Sequence, residues 1–284
     1  MMIVSIRILL KTAAAWMLMA AAVGAAENPW DIRYPFKSAT VTYEISGTET
    51  GSETLYIDGY GKKQARFRKS ALRVMNRQMN TDKVEITTEQ WHYDIDLASR
   101  TGSKTTNPNR YFRQEYEKLS DEEKRIVRKN AEEMGKSALG GMQGTVEKNA
   151  ATLLGYRCDK TTYMGTTVYA MHDTGIPLKT ETDMMGMRVK STAVKFDKGA
   201  VPSNVFIPPK GIAITFDEEA DAMMRQMAKN MIATMKDPEA AEKMKEQGAG
   251  YARQPSSGSS PGQDEPSEDA LQKSLEGLKG MFGN

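Results

Sequence analysis

The chain has 284 residues, with 39 Lys and Arg against 37 Asp and Glu. That balance gives no electrostatic case for nucleic acid or an anionic membrane surface as a partner. One Cys and two His exclude an internal disulfide and a His-rich metal site, and they leave few general bases for neutral pH.

The N-terminus carries the first strong pattern. Arg7 and Lys11 precede an apolar run from Thr12 to Val23, and Gly24, Ala25 and Ala26 follow. A basic stretch, a short apolar run and small residues predict a secretory signal peptide over residues 1–26, cleaved after Ala25 or Ala26. The run is shorter than the roughly 20 apolar residues that a spanning helix needs, so no transmembrane segment is expected after cleavage. The expected location is the periplasm. Arg7 and Lys11 leave with the leader, so cations and carboxylates balance in the mature chain.

Residues 40–100 alternate as strands do. Thr40–Ile45, Glu53–Tyr60, Lys63–Lys69, Ala71–Met79, Lys83–Thr88 and Trp91–Leu97 are six expected strands, separated by polar turns such as Asp58-Gly59. Trp91, Tyr93, Ile95 and Leu97 share one strand face, with His92, Asp94 and Asp96 on the other. A helical insertion is expected over about 111–154. In it, Asn107-Pro108 breaks the sheet, Ser120 and Glu123 form a capping box, Gly140-Gly141 stops the helix, and a weaker helical stretch covers Thr145–Leu154. Strands are then expected at Tyr156–Met164, Thr166–His172, Leu178–Met185, Met187–Asp197 and Asn204–Ile207, ended by Pro208-Pro209.

A covering helix is expected over about 216–247, started by a capping box at Thr215–Glu218. Ala220, Met224, Met227, Met231 and Met235 form a continuous apolar stripe along it. Pro238 marks a restart within that span. Residues 248–267 are rich in Gly, Ser and Pro and predict a flexible linker. Residues 268–284 predict an amphipathic terminal helix with Leu271, Leu275, Leu278 and Phe282 on one side. Residues 27–247 are thus expected to form one domain.

Several stretches resemble a known group. Tyr34-Pro35-Phe36-Lys37-Ser38, Glu53 through Lys62, Gly155-Tyr156-Arg157-Cys158-Asp159, Gly175-Ile176-Pro177-Leu178-Lys179, Met184-Met185-Gly186-Met187 and Phe206-Ile207-Pro208-Pro209 occur in order over residues 34–210. This order resembles uncharacterised bacterial exported proteins of the outer-membrane lipoprotein-carrier superfamily. The resemblance implies an α+β fold: a strongly curved antiparallel sheet, an incomplete β-barrel, covered by helices. Here those would include the Met-rich amphipathic C-terminal ones. It also implies an apolar concave face that holds acyl chains or docks a partner, and it brings no catalytic residues.

The residues themselves give little chemistry. No nucleophile elbow, zinc-protease helix or phosphate-binding glycine loop occurs. Asp94 and Asp96 fit a solvated strand face, and Cys158 fits a small buried hydrophobe. Thioethers suit Cu(I), but Met at helical spacing makes a deformable apolar face, so neither metal nor cofactor is expected. The expectation is a non-enzymatic periplasmic binding protein for an apolar or lipidic ligand such as a lipoprotein acyl chain. Trp91, Tyr93, Ile95, Leu97, Met224, Met227 and Met231 would line its cavity. The alternative is a cell-envelope interaction module with a filled core, acting on an envelope protein through its tethered terminal helix.

Overall fold

The computed structural model describes residues 28–239 apart from 32, 75–76, 142–144, 164 and 185. The expected leader, linker and terminal helix, and the helix restart beyond residue 239, lie outside the described residues.

Among the described residues, twelve strands form one unclosed sheet. In chain order they are β1 (Ala39–Gly47), β2 (Glu49–Asp58), β3 (Lys63–Val74), β4 (Arg77–Thr87), β5 (Trp91–Asp96) and β6 (Thr101–Thr106), then β7 (Thr145–Leu153), β8 (Tyr156–Tyr163), β9 (Thr166–Met171), β10 (Pro177–Met184), β11 (Met187–Asp197) and β12 (Ala213–Phe216). The helices are α1 (Pro108–Glu117), α2 (Asp121–Gly141) and α3 (Glu218–Met235). The spatial order is β12-β6-β5-β4-β3-β2-β1-β11-β10-β9-β8-β7. Every pairing is antiparallel except β12 with β6, which is parallel. The N-terminal meander and the C-terminal meander meet where β1 pairs with β11. Gly47 closes the β1–β2 hairpin at φ 103, where an added Cβ would stand 2.2 Å from the Arg188 carbonyl oxygen.

Cross-strand partners share a face, so register decides what lies together. On one face, Ala39, Val41 and Tyr43 oppose Ile57, Leu55 and Glu53. These continue into Gln64, Arg66 and Arg68, then Thr87, Glu85 and Lys83, then His92, Asp94 and Asp96. On the other face, Tyr56 and Thr54 lead into Ala65 and Phe67, then Ile86 and Val84, then Tyr93 and Ile95. The first face carries one core: Ala39, Val41, Tyr43, Leu55 and Ile57 join Cys158, Met171, Ile176, Leu178 and Ala193, with Tyr34 and Phe36 from the segment before β1. The second face carries another: Ala65, Val84, Ile86 and Ile95 join Phe206, with Val201, Val205, Ile212 and Ile214 against them. The two cores therefore lie on opposite faces of the same sheet.

The helices build a third core of Tyr111, Phe112, Tyr116, Val127, Ala228, Ile232 and Met235. Trp30 stacks on Phe112 with ring centroids 5.2 Å apart. Asn107 caps α1, its side chain accepting from the Asn109 N–H at 3.0 Å, and Pro108 stands at the first helical position. The Ser120–Glu123 capping box forms: the Ser120 N–H donates to Glu123 at 2.9 Å and the Glu123 N–H to the Ser120 hydroxyl at 3.3 Å.

Four expectations need correction. Residues 145–153 form the edge strand β7 instead of a helix, because Thr145, Val146, Ala151 and Thr152 find partners on β8. A bulge between Glu147 and Ala151 hides the alternation there. The expected strands 63–69, 71–79 and 83–88 are two long ones, β3 and β4, paired from Gln64 with Thr87 to Val74 with Arg77. Residues 203–206 form a 3-10 turn after Pro202 where a strand was expected. Thr215 belongs to β12, and the true cap of α3 is Asp217, which accepts from the Ala220 N–H at 2.9 Å.

Candidate functional site

The structure separates the residues expected to line one cavity. Tyr93, Ile95 and Leu97 belong to the second-face core, under the residues 201–214 segment. Ile95 is fully buried there. Trp91 lies at the start of β5, edge-on to Phe216 with centroids 6.2 Å apart and with Lys104 Nζ 4.6 Å from its ring centroid. Met224, Met227 and Met231 are half-buried against the helical core, beside Trp30, Leu119 and Ala131. Thus β5 and α3 each use their apolar stripe, but in different clusters.

A charged cluster sits where the first face stops being apolar. Leu55 is the direct partner of Arg66, and Glu53 of Arg68. The Glu53 carboxylate is buried and accepts from Arg66 through one oxygen and from Arg68 Nη1 through the other at 3.2 Å. Arg68 Nη2 also reaches Glu49 at 2.8 Å, and the Ser70 hydroxyl donates to the same carboxylate. Arg66 Nε stands 4.0 Å from Glu85. Burial opposes the Arg66 cation most, yet Glu53, Tyr43 and Glu85 together outweigh it and hold the guanidinium above its ordinary value. Arg68 is raised in the same way, chiefly through Glu49.

Two tyrosines and a histidine border this cluster. Burial raises the Tyr34 hydroxyl to about 12. It raises the Tyr43 hydroxyl further, and that hydroxyl donates to the Pro177 carbonyl at 2.9 Å. His92 Nδ1 bonds the Thr87 hydroxyl at 2.9 Å, and burial lowers its pKa. The arrangement is a ladder of acid and base across β2, β3 and β4. Each guanidinium faces carboxylates, the Ser70 hydroxyl is held by Glu49 and the Thr87 hydroxyl by His92. The ladder positions these side chains and pairs their charges.

Sequence reasoning missed this ladder. The signal was there in period-two form: Glu49 and Glu53 on one strand, Arg66, Arg68 and Ser70 on the next.

The remaining polar sites are simpler. His172 Nδ1 bonds Asp159 at 2.8 Å, and the Asn149 N–H donates to the same carboxylate at 2.8 Å, pinning the β7 bulge. Cys158 is fully buried, its Sγ 3.4 Å from the Tyr156 carbonyl oxygen; burial raises the thiol pKa, as befits an inert side chain. Asp94 stays half exposed, 3.7 Å from Lys83. Open depressions mark the described surface. One, of about 550 Å³, is lined by Glu44, Ser46, Lys190, Thr192 and Val194, and one, of about 410 Å³, by Lys63, Thr88, Glu89 and Gln90. No group of three or more His, Cys, Asp or Glu fit to hold a metal occurs among the described residues. None of the described helices is long and apolar enough to cross a membrane.

No protein-family model and no curated protein matches the chain. Solved structures do. An uncharacterized conserved protein from Thermus thermophilus is similar at a TM-score of 0.39 and 10% identity, over 64% of this chain and 92% of that one. PNGF-II is similar at a TM-score of 0.33 and 13% identity, over 70% of this chain and 33% of its own length.

Proposed function

We propose that the protein is an exported, non-enzymatic interaction module of the cell envelope, with a filled core. The observation that carries this reading is the packing of Tyr93, Ile95 and Leu97. A carrier would turn these side chains toward a ligand, but here residues 201–214 and Phe206 pack against them. The charge ladder supports this reading too, since its guanidiniums and carboxylates neutralise each other. Export rests on the leader pattern of residues 1–26, and the tethered amphipathic segment 268–284 is the natural contact for an envelope partner.

A second reading keeps the resemblance to lipoprotein carriers: a strongly curved sheet, open on one side, with helices across the opening and an apolar ligand beneath them. Two observations favour it. Met224, Met227 and Met231 are only half-buried, and thioether side chains adapt to irregular apolar ligands. The chain also leaves the sheet at β6 and re-enters at β7, at the far end of the strand order, through α1 and α2.

Native mass spectrometry of full-length protein, gently extracted from the envelope fraction, separates the two. A filled module is expected to fly as bare polypeptide starting near Glu27. Stoichiometric lipid that persists through purification would overturn it in favour of the carrier.

A further inference from the structure

The β10–β11 hairpin carries an arrangement that neither reading uses. Met184 and Met187 are direct cross-strand partners, the last pair before the turn, where Gly186 takes φ 77. Opposed residues in an antiparallel pair project from the same face, with Cβ atoms about 4.5–5.5 Å apart. Neither residue belongs to any of the three apolar cores, and they keep 36% and 39% of their surface exposed.

The neighbouring β8–β9 turn lies against this pair. The Asp183 N–H donates to the Gly165 carbonyl at 2.8 Å. A Cβ added at Gly165 would stand 2.5 Å from the Asp183 carbonyl oxygen and 3.0 Å from Met184 Cγ. A glycine therefore keeps the flank of Met184 free of a side chain. The sequence puts Met185 between the paired residues and Met164 next to Gly165; both lie outside the described residues.

Single exposed methionines are ordinary and need no explanation. Two in register on one face are different, because they form a preset chelate. The hairpin fixes both backbones, and three rotatable bonds in each side chain let the sulfurs converge on one point. A thioether is a neutral, soft donor; it selects Cu(I)-type ions and is passed over by the hard cations Mg²⁺ and Ca²⁺. The adjacent carboxylate in the chain, Asp183, is engaged by Arg188 at 2.8 Å. We propose that Met184 and Met187 form a bidentate thioether site for a soft monovalent cation, Cu(I) or Ag(I), at the tip of this hairpin.

The test is a titration of full-length protein, labelled with ¹³C at the Met methyls, with Ag(I), which needs no reductant. The Met184 and Met187 methyl resonances are expected to move first and together, saturating at one equivalent. Met224, Met227 and Met231, engaged in the helical core, serve as internal controls and stay in place over that range. Replacing one of two chelating donors weakens binding by roughly tenfold or more, so Met184→Leu should erase the early shift of Met187. Leu conserves apolar volume at an exposed position, and the undisturbed control resonances report that the variant is folded. The proposal fails if Met187 still titrates unchanged in Met184→Leu, or if the helical methionines respond before the hairpin pair.

Discussion

Two parts of one sheet bury opposite sides. Around β1 and its neighbours β2 and β11, the apolar residues lie on the first face and are joined by Tyr34 and Phe36. Across β3, β4 and β5 they lie on the second face, with residues 201–214 against them. The crossover happens within a single strand pair. Leu55 and Ile57 of β2 point one way, while Ala65 of β3, opposite Tyr56, points the other. A sheet cored on one side throughout would expose Ile86 and Ile95; this one gives each region its own irregular segment. The charge ladder follows from the same switch, because the first face turns polar where Gln64 and Arg66 succeed Ile57 and Leu55.

The largest expected effects probe the cores separately. Leu178 on the first core and Ile95 on the second are both fully buried. Truncating either to Ala leaves a cavity and is expected to cost about 3–4 kcal/mol in urea unfolding. Equal costs with one shared transition would show two cores acting as one cooperative unit. If Ile95→Ala loosens only residues 201–214, read by hydrogen exchange, the second core is a local closure and the symmetry of the comparison breaks.

The crossover itself comes next. Glu53→Gln keeps the shape and removes the charge that two guanidiniums share. Stranding a fully buried charge costs about 3–5 kcal/mol. Arg66 and Arg68 each keep about a third of the side chain exposed and can recruit water, so about 2–3 kcal/mol is expected here. Adding Arg66→Met to Glu53→Gln should recover part of that loss, since it removes a stranded cation from beside an apolar cluster. No recovery in the double variant would mean that the ladder matters for its hydrogen bonds and not for its charge.

Much of this was legible from sequence, and the failures have causes. Strands with one apolar face, such as β1 and β5, announce themselves by alternation. Strand β6 does not: Thr101–Thr106 holds only Thr, Gly, Ser and Lys, so nothing marks a period of two. In β7, the bulge at Glu147–Ala151 resets the alternation and leaves an Ala-rich stretch that imitates a helix. The apolar stripe of Trp91, Tyr93, Ile95 and Leu97 was visible, but its covering was not. Residues 201–214 alternate with prolines and glycines and look like connection, while the Met stripe of α3 looks like the cover. What packs on what is a tertiary choice, and α3 finds Tyr111 and Phe112.

A smaller effect is expected where the helical core meets the sheet, the region that joins neither side of the comparison. The buried Asp221 carboxylate of α3 accepts from the Thr106 N–H at 2.7 Å and the Tyr111 hydroxyl at 2.5 Å. Burial pushes its pKa up, but those bonds outweigh it and hold the carboxyl below its ordinary value. Arg225, largely exposed at 3.5 Å, adds little. A carboxyl depressed on folding stabilises the protein fully above its unfolded pKa of about 3.9, and that contribution is lost as the pH falls through the lower folded value. Asp221→Asn is therefore expected to cost about 1–2 kcal/mol at pH 7, as for a hydrogen bond to a charged group. The gap to wild type should shrink as the pH drops below about 4. Urea unfolding at stepped pH measures both. A gap that stays constant into acid would place the cost in packing at α3, and the helices would then be held to β6 by shape, as the two sheet cores are.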